Sequence, residues 1–96
     1  MKIVWLDQAD QDLSKAVERN LERNPEAAKR IAGLICLQVK QLQKYPQLGR
    51  VGQIESTREL AINQTHYVAA YRIDFSNNLI EILALMHESM QWPEEF

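Results

Sequence analysis

The chain has little cysteine, no long apolar run and no excess of basic charge. Cys36 is the single cysteine among 96 residues. One cysteine cannot form an intramolecular disulfide or a cysteine-cluster zinc site. The fold therefore needs an apolar core, and we expect Cys36 to be a small buried side chain within a helix. The chain also lacks internal repeats, low-complexity segments and a linker, which predicts a single domain over residues 1–96.

The lack of a long apolar run bears on where the protein is located, and its charge balance bears on which partners it can bind. No segment reads as a signal peptide or a membrane span, so we expect a cytoplasmic protein. Thirteen acidic residues against eleven Lys and Arg give a net charge of −2. This balance disfavours a protein that binds nucleic acid mainly through phosphate contacts. It does not exclude a local basic patch.

Two amphipathic segments between residues 8 and 44 predict an antiparallel helical hairpin. We expect Asp7 to cap the first helix through its side-chain oxygen. Asn24 and Pro25 end that helix and begin the second, because Asn caps well and Pro suits the first helical position. The apolar stripes, with one residue from the last strand, predict these buried residues: Leu13, Val17, Ile31, Ile35, Val39 and Leu83.

The remaining apolar segments predict four strands. Short polar turns separate the last three, so these strands should be antiparallel. Between helix and strands, residues 47–56 form a loop in which Gly49 and Gly52 permit positive backbone angles. The predicted fold class is α+β, with the hairpin on one face of a mainly antiparallel sheet and the other face partly free. The predicted strands are residues 2–6, 57–62, 67–73 and 79–87.

Several short motifs recur in an order that resembles the ParE/RelE toxin superfamily. Each motif is weak alone, but together they cover nearly the whole chain. They include Asp12-Leu13, Asn24-Pro25-Glu26, Pro46-x-x-Gly49-Arg50, Thr57-Arg58-Glu59-Leu60, Tyr71-Arg72-Ile73 and His87-x-x-x-x-Trp92-Pro93.

This resemblance implies the toxin of a bacterial type II toxin–antitoxin module. In such modules a small cognate antitoxin wraps a C-terminal segment around the toxin and neutralises it. ParE-like members inhibit DNA gyrase, whereas RelE-like members cleave mRNA in the ribosomal A site without metal or cofactor. The two branches share one fold, so fold alone does not choose between them.

The candidate site residues are Arg58, Arg72, His87 and Trp92. With one turn between them, Arg58 and Arg72 are expected to share a sheet face and to bind an anion. The alternative is that each pairs with a carboxylate on a neighbouring strand. His87 can act as acid or base near neutral pH, or it can form hydrogen bonds at a strand end. The first three would form the cleavage centre of a RelE-like enzyme, and all four are candidates for partner binding.

Three functions follow, in order of preference: a gyrase inhibitor, a ribosome-dependent endoribonuclease, and a degenerate member that binds antitoxin without toxicity. The acidic balance and the small catalytic set favour the first over the second. Residues 88–91 contain no basic residue, where many relatives carry arginine, and this keeps the third open. Neither His66 nor His87 has further ligands at suitable spacing, so we expect no metal and no cofactor.

Overall fold

A computed structural model describes all 96 residues of the chain. Two α-helices are inserted between the first strand and the others, and a short 3₁₀ turn follows the second helix at Gln41–Gln43. The order matches the α+β class predicted from the sequence. The helices are α1 (Asp7–Arg23) and α2 (Pro25–Lys40), and the strands are β1 (Lys2–Trp5), β2 (Arg50–Val51), β3 (Arg58–Ala61), β4 (Tyr67–Asp74) and β5 (Leu79–His87).

The strands form one mixed sheet in the order β1-β5-β4-β3-β2. The β3–β4 and β4–β5 pairs are antiparallel, as the short turns predict, while β1 pairs with β5 in parallel. The two-residue strand β2 lies within the segment predicted to be a loop. The sequence did not predict this strand, because two residues are too few to show an alternation of apolar and polar side chains. Neither helix combines the length and the apolar character that a membrane-crossing helix requires.

The helix boundaries follow the polar residues at their ends, with one exception. The Asn24 side chain accepts from the backbone N–H groups of Glu26 and Ala27 at 3.0 and 3.4 Å, and Pro25 is the first helical residue. Asp7 is not the N-cap, because it is already helical and Leu6 precedes it without a side-chain hydrogen bond. Its carboxylate instead lies in the first turn, where the positive end of the helix dipole stabilises the negative charge.

The core lies between the helical hairpin and the sheet. Ile35, Val39 and Leu83 are buried as predicted. Leu13 and Ile31 are only partly buried at its margin. The largest fully buried side chains are Tyr71, Ile35, Leu42, Ile62, Ile80, Ile82 and Val39.

Leu13 and Ile31 were also predicted to be buried, so their partial exposure is one error, and two further expectations about the helices were wrong. Val17 on α1 is only partly buried. Cys36 on α2 is exposed, although its neighbour Ile35 is fully buried. A two-helix layer leaves the outer side of each helix in solvent, so the buried stripe is narrower than the apolar stripe of the sequence.

One backbone N–H in the unpaired half of β5 donates to a helix side chain. β1 ends at Trp5, which pairs with Ile82, so the later residues of β5 have no strand on that side. There the backbone N–H of Leu85 donates to Oδ2 of Asp12 on α1 at 3.0 Å. This bond ties the hairpin to the sheet edge and gives Asp12 a structural role.

The sheet face away from the helices is less open than predicted. Val68, Ala70, Ala84 and Met86 point to that face, and each is less than a tenth exposed. Part of the covering comes from the C-terminal segment, because Met90, Pro93 and Phe96 share a groove with Ala84 and Met86. Trp92 in the same segment is half-buried.

Candidate functional site

A buried tyrosine joins the motif residues of the loop before β2 to the sheet. The Tyr71 hydroxyl donates to the backbone oxygen of Pro46 at 2.7 Å and accepts from the Gly49 N–H at 2.9 Å. Burial raises the pKa of Tyr71 above its usual 10.0, and the bond from Gly49 and the charge of Arg58 act in the opposite direction. The neutral phenol is therefore the form that holds this loop.

Gly49 is required for space rather than for an unusual backbone angle. A Cβ atom there would lie 2.7 Å from the Tyr71 ring and 2.8 Å from the backbone oxygen of Glu59. Neither Gly49 nor Gly52 has a positive φ, contrary to the prediction. Gly52 is likewise confined, because an added Cβ would overlap Thr57. The Pro46-x-x-Gly49 motif thus encodes close packing of a loop on the sheet.

Arg58 belongs to the same loop contact. Its guanidinium donates to the backbone oxygen of Gly49 at 2.7 Å, and the side chain is partly buried. Arg58 lies directly opposite Tyr71 in the β3–β4 register, so both side chains point to the helix-covered face. Its structural partner is a backbone carbonyl rather than one of the carboxylates that the sequence suggested.

Arg72 points to the opposite face, which corrects the expectation that the two arginines share one. It follows Tyr71 in β4, and successive strand residues alternate between faces. Arg72 pairs in register with Glu81, and its Nε lies 3.6 Å from Oε1 of that residue. The Arg72 side chain is 41% exposed, so the predicted cross-strand ion pair is weak and solvated.

Glu59 is a buried carboxylate that the sequence offered as a partner for Arg58 or Arg72, but it pairs with Arg50 instead. Its side chain is 3% exposed, and it accepts from the Arg50 guanidinium at 2.9 Å and from the Gln53 N–H at 2.8 Å. These bonds close the loop between β2 and β3. The Pro46-x-x-Gly49-Arg50 and Thr57-Arg58-Glu59 motifs therefore meet in space, although the sequence shows only that they are close along the chain.

His87 ends β5 in a local hydrogen-bonded turn. Its Nδ1 lies 2.6 Å from Oγ of Ser89 and accepts from the Ser89 N–H at 3.2 Å. The ring packs edge-on against Tyr67 at 5.4 Å and lies 5.7 Å from the ring of His66. His66 is exposed and contacts Glu88 at 2.8 Å. This agrees with the strand-end role for His87.

The structure does not bring Arg58, Arg72 and His87 together. His87 pairs with Tyr67, which lies five residues from Arg72 along β4. That separation is roughly 16 Å at about 3.3 Å per residue. Arg72 also lies on the other face from both of its proposed partners. No group of three or more His, Cys, Asp or Glu side chains is placed to hold a metal ion.

The fold and its motifs define a member of the ParE/RelE toxin class. The family model described as the ParE toxin of the type II toxin–antitoxin system parDE matches residues 3–92. The chain belongs to this ParE toxin family.

Two individual proteins agree with this assignment. The candidate toxin Y4kP of Sinorhizobium fredii is 42% identical over 71 residues, which are 74% of this chain and 71% of Y4kP. A chain from the chromosomal ParDE toxin–antitoxin system of P. aeruginosa superposes with a TM-score of 0.83 at 26% identity. That match covers 91% of this chain and 95% of the other.

Proposed function

We propose that this chain is a ParE-like toxin that inhibits DNA gyrase by binding, and that a cognate antitoxin neutralises it in the cytoplasm. Membership of the ParE family supports this reading. One structural observation carries the choice of a binding inhibitor over a nuclease. It is the dispersal of Arg58, Arg72 and His87 over two sheet faces.

A metal-free ribonuclease needs a base, an acid and a cation around a single phosphate. Here the Arg58 guanidinium is bonded to Gly49, the Arg72 guanidinium faces Glu81, and His87 lies at the far end of the sheet. Proton transfer needs the side chain within roughly 3 Å of the reacting atom, whereas roughly 16 Å of strand separates Arg72 from the residue that pairs with His87. An inhibitor needs only a folded surface complementary to its target.

For the antitoxin contact, Arg72 and Trp92 are favoured among the four partly buried candidates, because their side chains form no hydrogen bond within the chain. Arg72 offers a partly exposed charge on the sheet face away from the helices. Trp92 belongs to the C-terminal segment that partly covers this face. Trp and Arg are also the residue types that most often dominate binding energy at protein interfaces. Arg58 and His87 remain candidates whose hydrogen bonds within the chain oppose a direct contact.

Induction of the chain in cells, with and without the neighbouring small reading frame, tests the proposal. We expect growth arrest, relaxed plasmid DNA and rescue by the co-expressed antitoxin, which should co-purify with the chain. Primer extension on abundant transcripts provides the second readout. New cuts within codons together with normally supercoiled plasmid would identify the ribosome-dependent nuclease instead. No growth defect with retained antitoxin binding would identify a degenerate toxin.

A further inference from the structure

A cleft beside the helical hairpin is lined by three of the eleven Lys and Arg residues of the chain. It lies where the second half of α1 and the start of α2 meet the β3–β4 turn, and its volume is about 280 Å³. Its charged and titratable lining residues are Arg19, Arg23, Arg30, His66 and His87. We call this the arginine cleft. It contains both histidines of a chain whose net charge is −2.

The three arginines of the cleft have no partners within the protein. The ion pairs of the chain are Arg50–Glu59, His66–Glu88 and Arg72–Glu81, and none involves Arg19, Arg23 or Arg30. No carboxylate lines the cleft. Glu88 is the single acidic residue paired with a lining side chain, through its contact with His66 at 2.8 Å.

This arrangement is electrostatically unfavourable in the free protein. Arg19 and Arg23 are four residues apart on α1, so they are neighbours on one helix face and repel each other by a few tenths of a kcal/mol. Arg30 comes from α2 and adds a third charge to the same concavity. An anion in the cleft would offset this repulsion.

The lining favours phosphate over a base or an apolar group. Guanidinium groups match phosphate oxygens with paired hydrogen bonds, and arginine is the usual residue for this recognition. Apart from Ile31 and Tyr67 the lining is polar, and Tyr67 is buried. The exposed aromatic ring of the cleft is the imidazole of His66, so three guanidinium groups stand beside a single small stacking surface.

We propose that the arginine cleft binds the phosphodiester backbone of nucleic acid without sequence preference. Three guanidinium groups from two helices give about three phosphate contacts. The net negative charge of the chain keeps long-range attraction weak, so binding depends on these local contacts. This proposal is independent of the gyrase target because it concerns a different ligand, and of the four candidates for partner binding His87 is the one that lines the cleft.

Fluorescence anisotropy of the full chain with a labelled 20-bp duplex tests the proposal. Three phosphate contacts predict that log K falls with log [NaCl] with a slope of about −2.7. Affinity should therefore drop about 40-fold between 50 and 200 mM NaCl. The R19Q/R23Q/R30Q variant should lose most of this slope, since each lost phosphate contact reduces it by about 1. These residues are exposed, so the fold should persist, and circular dichroism checks this.

The matched control is K2Q/K40Q/K44Q, which removes the same charge from exposed positions outside the cleft. The control should keep the wild-type slope. An equal loss in both variants would contradict the proposal, because binding would then follow total charge. So would equal affinity for a poly-glutamate peptide with the same arginine dependence. Inorganic phosphate that binds as tightly as the duplex would identify free phosphate as the ligand and overturn the nucleic-acid assignment.

Discussion

Arg58 and Arg72 extend from opposite faces of the sheet. Arg58 lies opposite Tyr71 in the β3–β4 register, and Arg72 is the next residue after Tyr71, so the alternation of strand side chains separates the two guanidinium groups. One holds the loop through Gly49, and the other faces Glu81. Two arginines that the sequence suggests as one anion site therefore serve two structural contacts.

The Tyr71 hydroxyl should contribute strongly to stability. Tyr71→Phe removes the partner of both the Pro46 carbonyl and the Gly49 N–H inside a buried contact. Leaving one buried and one partly buried backbone group without partners should lower the free energy of unfolding by about 1–4 kcal/mol. Urea denaturation measures this. Tyr45→Phe is the matched control, because Tyr45 is 56% exposed, and it should change stability by less than about 0.5 kcal/mol.

The raised pKa of Tyr71 predicts alkaline destabilisation. Above pH 10.0 an unfolded chain loses the Tyr71 proton while the folded chain retains it. The folded state then binds more protons, so the free energy of unfolding falls as pH rises through this window. The contribution is fully present below pH 10.0. Tyr71→Phe should show a flatter decline in thermal stability between pH 9 and 11 than wild type. Equal slopes in the two proteins would contradict the assignment.

Two residues on α2 should differ sharply in their effect on stability. Ile35 is fully buried against the sheet, so Ile35→Ala should lower the free energy of unfolding by about 2–5 kcal/mol through loss of contacts and an internal cavity. Leu37 on the same helix is 63% exposed, and Leu37→Ala should cost less than about 1 kcal/mol. Chemical denaturation of both variants checks the packing face. Similar losses would mean that this face is wrongly assigned.

The two residues predicted to cap helices, Asn24 and Asp7, should also differ in how their loss affects stability. Asn24→Ala removes the oxygen that accepts from Glu26 and Ala27, and should cost about 1 kcal/mol. Asp7→Ala removes a charge near the helix dipole but no cap, so about 0.3–1 kcal/mol is expected and high salt should reduce it. The effect of Asn24→Ala should persist in high salt. Thermal melting at two salt concentrations tests the difference.

The order of elements was predictable because local chemistry specifies it. Asn24-Pro25 interrupts one long amphipathic region, and the short turns after Ile62 and Asp74 require antiparallel strands. The parallel pairing of β1 with β5 was not specified in the sequence, because it depends on how the hairpin packs on the sheet. The exposure of Cys36 also depends on which part of the apolar stripe faces the core.

The candidate site was harder to predict because it depends on register. The motif Tyr71-Arg72 shows two adjacent residues, but only pairing with β3 reveals which of them faces Arg58. A bulge between Ala70 and Tyr71 further shifts the pairing with β5. The arginine cleft was missed for a related reason. Arg19 and Arg23 read as a solvated helix face, and only the packing of α2 adds Arg30.

A gyrase supercoiling assay with purified chain and a His87→Gln variant tests the central claim most directly. A binding inhibitor should block supercoiling in proportion to its concentration, and His87→Gln should retain most of this activity because Gln can still form hydrogen bonds at the strand end. A nuclease that uses His87 as acid or base should lose about 100-fold or more in mRNA cleavage with the same change. The account predicts inhibition of gyrase by both proteins. Unimpaired gyrase, with ribosome-dependent mRNA cuts that vanish in His87→Gln, would contradict it.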